Sequence, residues 1–339
     1  MHTPPRGLVY AIYYTALAVI AVPVNIVAIV ILSRGKCGLS RCISRYLVSM
    51  AATDLLVILT AVILNRIPAI YFPGNFLFIT PVCSFSIALI YAARDSSVWL
   101  TVTFTFDRYV AICWQKLKAK YCTHRTAGVV VSTVCTLGCV INIPWYFLHE
   151  SIYVIDNVPW YCKRAGILSS FLLWKIFDWT DRALAPCLPF LLILTLNALT
   201  VRHILAASRA RRRLCSCAIG DRQRDPEMES RRKSIVLLFA ISSCFILLWM
   251  PYVVHFLLVR FQIGHAINGY SDPRFILMES ANMFQMLSCC TNTFIYAVTQ
   301  NKFREELKLL VKFPLNASHS TAPLRKEQIP AKKSASRSV

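Results

Sequence analysis

The chain has 339 residues, 56% hydrophobic and only 16% charged, and its 37 Lys and Arg against 16 Asp and Glu leave a net charge of +21. A soluble domain carries about 25% charged residues, and the mean hydropathy here is +0.54. These figures exclude a disordered protein, a coiled coil and an ordinary cytosolic enzyme, and they read as a polytopic membrane protein.

Seven apolar runs follow in series, each long enough for the roughly 20 residues that cross a bilayer: Leu8–Leu32, Ile43–Leu64, Val82–Ile112, Ala127–Phe147, Trp174–Leu205, Ser234–Val259 and Phe275–Thr299. Each is expected to be a helix, because lipid cannot satisfy a bare peptide backbone. The expected fold class is an all-α membrane protein, a seven-transmembrane helix bundle with a short interfacial helix after the seventh span. Residues 1–7 are expected to be a short extracellular N-terminus with no room for a cleavable signal, with span one expected to act as its own insertion signal. Residues 8–313 make the bundle and interfacial helix, and residues 314–339, rich in Ser and Lys, read as a disordered tail.

The basic residues assign the sides. Arg34, Lys36, Arg41 and Arg45 follow span one, Lys116, Lys118, Lys120 and Arg125 follow span three, ten lie from Arg202 to Lys233 and nine from Lys302 to Arg337. The opposite side has only Arg6, Arg66, Lys163, Arg164, Arg260 and Arg274. By the positive-inside rule the N-terminus is extracellular, the C-terminus cytoplasmic and the protein multi-pass in the plasma membrane. The charge is then topology, with no nucleic-acid partner.

Two cysteines lie at the outer surface, Cys83 at the top of span three and Cys162 between spans four and five. The compartment argument favours a disulfide over two free thiols.

Within the membrane, polar residues carry the information. Asn25 sits mid-span one, Asp54 mid-span two, Ser97 in span three, and Ser288 and Asn292 in span seven. Asp54 with Ser97, Ser288 and Asn292 either holds a sodium ion among oxygen ligands or forms a hydrogen-bonded polar core without one. No other cofactor is expected. Span three ends in Asp107-Arg108-Tyr109, 24 residues after Cys83. That separation is roughly 36 Å of helix, so one end is pinned outside while the other presents an arginine to the cytosol. Span six carries Phe245, Trp249 and the kink-forming Pro251, and span seven carries Asn292 and Tyr296. An amphipathic stretch from Lys302 to Leu310 reads as a helix lying along the inner leaflet.

Together these residues resemble a rhodopsin-like (class A) G-protein-coupled receptor over roughly Leu8 to Phe313, through Asn25, Leu47 with Asp54, Cys83, Asp107-Arg108-Tyr109, Cys162, Pro189, Phe245/Trp249/Pro251 and Asn292 to Tyr296. The pattern Ser97-Val98-Trp99, Leu248-Trp249-Met250-Pro251 and Ala281-Asn282-Met283 is most similar to a small orphan branch whose members respond to aromatic amino acids and peptides. Thr293, where most of the class has Pro, and Asn197, where it has a span-five Tyr, depart from the class pattern. The resemblance implies a heterotrimeric G protein as partner, of Gq type, with arrestin and receptor kinases acting on tail hydroxyls such as Ser318, Ser320 and Thr321. It also implies a ligand above Trp249 that shifts span six at Pro251, freeing Arg108 from Asp107 to meet Gα with Tyr296 behind it.

For the ligand pocket, Ile90, Arg94 and Ser97 share one face of span three. Asp95 points about 100° away, so the neighbours Arg94 and Asp95 are expected to need different partners. One reading has Arg94 and a carboxylate from Asp178, Asp181 or Glu279 bracket a small amino acid-like molecule or peptide terminus, with Trp174, Trp179, Tyr252 and His255 as aromatic walls. The other pairs Arg94 with Asp181 for structure alone. A transporter, which calls for internal repeats, and a receptor-like protein that no longer signals are the rival functions. No HExxH or GxSxG motif points to an enzyme.

Overall fold

The computed structural model describes residues 8–166, 171–215, 226–261 and 272–319. The expectations for residues 1–7 and for the tail from 320 onward lie outside the described residues.

Helix α1 (Leu8–Ser33) ends at a turn in which Gly35 and Gly38 take φ of +67° and +69°. A residue with a Cβ is strained in that left-handed region. Ser40 then caps α2 (Arg41–Tyr71), its side chain accepting from Ile43 N at 3.3 Å. Over Ile58–Arg66, α2 widens into a π turn just before Pro68, which has no N–H to give a helical carbonyl. Helix α3 (Thr80–Cys113) leads through the short α4 (Gln115–Tyr121) to α5 (His124–Phe147), capped by Thr123. Two small antiparallel pairs follow, β1 (His149–Glu150) with β4 (Lys163–Arg164) and β2 (Tyr153–Ile155) with β3 (Val158–Trp160). The fifth span is α6 (Leu172–Arg182) and α7 (Leu188–Cys215), joined by a π turn at Ala183–Cys187. Helices α8 (Pro226–Phe261) and α9 (Pro273–Thr299) complete the bundle, and extended Gln300 separates α9 from α10 (Asn301–His319).

Three expectations change in detail. The basic stretch between spans five and six, Arg202 to Lys233, is short and poor in apolar residues, a composition that predicts a flexible segment, but it is helical up to Cys215 and again from Pro226. Arg, Ala, Leu and Glu are good helix formers, so the spans propagate beyond the apolar region. Helix α10 runs on to His319, past Phe313. Finally, by length and hydropathy alone only Leu8–Ser33, Arg41–Tyr71, His124–Phe147, Leu172–Ala210 and Arg232–Leu258 qualify as spans among the described residues. Helices α3 and α9 are long enough, at 34 and 27 residues, but carry the polar side chains. They tolerate these because they are packed among neighbours, α3 against α2, α5, α7 and α8, and α9 against α1, α2 and α8.

The core is built in three tiers. Tyr14, Val57, Ile58 and Met286 pack at the disulfide end, Val98, Ile193, Phe245 and Trp249 in the middle, and Tyr46, Leu47, Phe104, Leu237 and Tyr296 at the Arg108 end. Val19, Val129 and Leu247 stay exposed on the outside, the distribution that a lipid solvent favours.

Candidate functional site

At one end of α3, Cys83 is bonded to Cys162, with Cα atoms 6.2 Å apart. Tyr161, at φ +60°, turns the chain there; its main-chain N donates to Phe78 O, and its carbonyl accepts from Thr80 Oγ1 at 2.7 Å. The expected disulfide therefore forms.

At mid-height the four residues expected around an ion come together. Asp54 is buried and accepts from Ser97 Oγ at 2.5 Å on one oxygen and from Asn292 Nδ2 at 2.9 Å on the other. Ser288 Oγ donates to Gln285 O and accepts from Trp249 Nε1 at 3.2 Å. All four line a cavity of about 20 Å³ together with Phe245 and Trp249, room for one water or small ion. Among the described residues no Lys or Arg pairs with Asp54. A buried carboxylate beside hydroxyl and amide oxygens is a donor set that suits a hard monovalent cation. Asn25 serves elsewhere: its Nδ2 donates to Ala21 O and Cys289 O, tying α1 to α9.

At the cavity wall Phe245 stacks on Trp249 with centroids 5.1 Å apart, and Tyr252 meets Trp249 edge-on at 5.9 Å. Pro251 lies inside α8 between these aromatics, and His255 is half-buried one turn further on.

Arg94 is buried toward this region but does not reach out as expected. Its Nε and Nη2 both donate to Asp95 Oδ1 at 3.3 Å, and its guanidinium lies 4.5 Å over Tyr91. The expectation that these neighbours need different partners is corrected: a long arginine folds sideways around the helix far enough to cancel the angular offset. Asp95 also accepts from Asn142 Nδ2 at 2.9 Å, a partner on α5 that the sequence reading missed. Of the three carboxylates assigned to Arg94, two are engaged elsewhere. Asp178 pairs with Arg164 at 3.2 Å, and Glu279 with Arg66 at 3.5 Å. Buried Asp181 and Tyr252 remain within electrostatic reach of Arg94. Ile90 packs toward the Tyr14 tier, Trp174 meets Phe177 edge-on, and Trp179 is exposed. Arg66 sat at the end of an apolar run with only a topological reading, so nothing in its neighbourhood announced Glu279.

At the other end of α3, buried Arg108 donates to Asp107 through Nε at 3.1 Å and through Nη2, and its Nη1 donates to Ser234 Oγ at 3.3 Å. Tyr109 is half-buried near Phe106. Tyr296 is fully buried against Phe303 of α10, with no hydrogen bond to its hydroxyl among the described residues. Asn197 is buried on α7, and Thr293 Oγ1 donates to Val24 O at 3.3 Å.

Residues 24–296 match the family described as 7 transmembrane receptor (rhodopsin family). The chain belongs to that family. The receptor is also similar to a FMRFamide receptor of Drosophila melanogaster, 26% identical over 315 residues, a match covering 88% of this chain and 53% of that protein. The chain thus spans about half the length of that curated relative. It is a multi-pass membrane receptor, a class distinct from transporters and enzymes.

Proposed function

We propose that the receptor binds a small extracellular ligand, a peptide or an amino acid-like molecule, at the disulfide end of the bundle and activates a heterotrimeric G protein at the Arg108 end. The observation that carries this reading is the continuity of α3: one helix bears the Cys83 staple, the buried Arg94, the Ser97 contact to Asp54 and the Asp107–Arg108 pair. The bias of Lys and Arg toward the Arg108 end supports a cytoplasmic setting for it and an extracellular N-terminus. Ligand contact at Tyr252 and Trp249 bears on the Pro251 kink, and the contacts of Arg108 with Asp107 and Ser234 hold the resting state. A ligand drives opening only by binding the open state better.

Asp54, Ser97, Ser288 and Asn292 are the residues that would hold a sodium ion, which supplies a positive charge to the buried carboxylate. The branch similarity admits an aromatic amino acid or a peptide, and the relative's name favours a peptide. FMRFamide spells Phe-Met-Arg-Phe-amide, which carries two cationic groups and no carboxylate. A ligand of that kind meets Asp181, whereas an amino acid or a free-acid peptide calls on Arg94.

The test expresses the full chain with Gα reporters and applies FMRFamide, its free acid and single aromatic amino acids, with Arg108→Ala matched for surface level. Gα nucleotide exchange that rises with one of these probes and is lost in Arg108→Ala is expected. Exchange that rises with a probe and is unaffected by Arg108→Ala would overturn the coupling through Arg108, and a wild type with neither basal nor probe-induced exchange would be a receptor-like protein that does not signal.

A further inference from the structure

Asp107 is almost fully buried, and the arginine beside it occupies only one of its carboxylate oxygens. Oδ2 takes both contacts from Arg108. Oδ1 faces Cys42 in the first turn of α2, whose Sγ donates to it at 3.5 Å. On the other flank, Cys122, the residue that ends α4, donates from Sγ to the main-chain O of Asp107 at 3.6 Å. Two thiols from two different elements thus grip the residue that holds Arg108. The nearby Tyr46 hydroxyl makes no hydrogen bond among the described residues, which leaves Cys42 as the side-chain donor to Oδ1.

We infer that Cys42 and Cys122 are positioning residues for Asp107, whose weak S–H donors set how firmly the receptor rests with Arg108 held inward. This rests on the proposed coupling through Arg108. A buried carboxylate has about four acceptor sites, and a thiol is a weaker donor than a hydroxyl. A hydroxyl in place of Cys42 tightens the grip on Asp107, and a methyl group abolishes it. The grip therefore lies between these limits, and the resting output of the receptor follows from it. Burial first, and then the Asp107 carboxylate, push the Cys122 thiol up to about 12, so it remains an S–H donor at neutral pH. A thiol this reluctant to ionise is a poor nucleophile, which argues for a hydrogen-bonding role and against a redox one.

The test measures ligand-free nucleotide exchange on added Gα in membranes holding the full chain, with variants matched for surface level. Asp107→Asn, which removes the charge that holds Arg108, is the benchmark and raises exchange. Cys42→Ala is expected to raise it about threefold to tenfold, the equilibrium factor of one ordinary hydrogen bond, because a thiol is too weak a donor to reach the strength of a charge-assisted one. Cys42→Ser is expected to bring it to the wild-type level or below, with Cys42→Thr as the second hydroxyl variant where Cys42→Ser does not reach the surface. Cys122→Ala is expected to shift exchange in the same direction as Cys42→Ala but less, because its acceptor is a carbonyl that the helix already uses. Alanine and hydroxyl variants that behave alike, beside a raised Asp107→Asn, would overturn the thiol grip while leaving the coupling reading intact. If Asp107→Asn also stays at background, the coupling reading fails and the inference fails with it.

Discussion

Arg94 and Asp95, adjacent on α3, close a buried ion pair on each other, with Nε and Nη2 of the arginine each 3.3 Å from the same carboxylate oxygen. Asn142 takes the second oxygen from α5, and Tyr91 lies under the guanidinium. The pair therefore also holds α3 against its neighbour. Removing one partner of such a pair strands a charge, which costs about 3 to 5 kcal/mol. Asp95→Ala is expected to lower the unfolding temperature of the purified receptor by several degrees. The double variant Arg94→Leu/Asp95→Leu is expected to lose less than the two single changes combined. Strict additivity in that cycle would show that the pair is not energetically coupled.

A second buried pair holds the disulfide end of α9. Glu279 is 2% exposed, and Arg66, which faces it, also lies 5.6 Å over the Tyr14 ring. Arg66→Ala is expected to destabilise by about 3 kcal/mol, because the carboxylate is left buried and unpaired. Adding Glu279→Gln removes that charge and is expected to recover most of the loss in the same thermal assay. A double variant no more stable than Arg66→Ala alone would assign the effect to lost packing.

Cys83 and Cys162 are 79 residues apart in sequence. Closing a loop of that length restricts the unfolded chain by about 4.5 kcal/mol on the chain-entropy account. Cys162→Ser is expected to cut surface expression sharply and to lower the unfolding temperature. Reduction of the wild type with dithiothreitol is expected to reproduce the thermal shift, and reduction should not alter the variant.

His149, in β1, supplies a pH dependence. Its Nδ1 donates to Trp145 O at 2.8 Å, but burial, aided by Arg164, holds the ring below its ordinary value of 6.5. The folded state therefore binds this proton less readily than the unfolded state. The contribution is full above the unfolded pKa and is lost as pH falls through it toward the folded value. Unfolding temperatures at pH 7.5 and 5.5 are expected to fall less between the two conditions for His149→Gln than for the wild type. Equal slopes would locate the acid sensitivity elsewhere.

What the amino-acid order determined by itself was position along helices. The series of apolar runs placed seven helices along the chain, and the depth of each polar residue within its run let Asp54, Ser97, Ser288 and Asn292 be grouped before any fold was known. The redox compartment similarly singled out Cys83 and Cys162. Partner choice was decided only by the tertiary structure. Arginine side chains span several ångströms and rotate freely, so Arg94 closes on Asp95, Arg66 on Glu279 and Arg164 on Asp178 according to how neighbouring helices and loops are turned. The same holds at Asp107, where Cys42 and Cys122 converge from separate elements. Neither cysteine carries a local signal of that role, because a hydrogen bond across helices depends on their mutual rotation, which no single helix encodes.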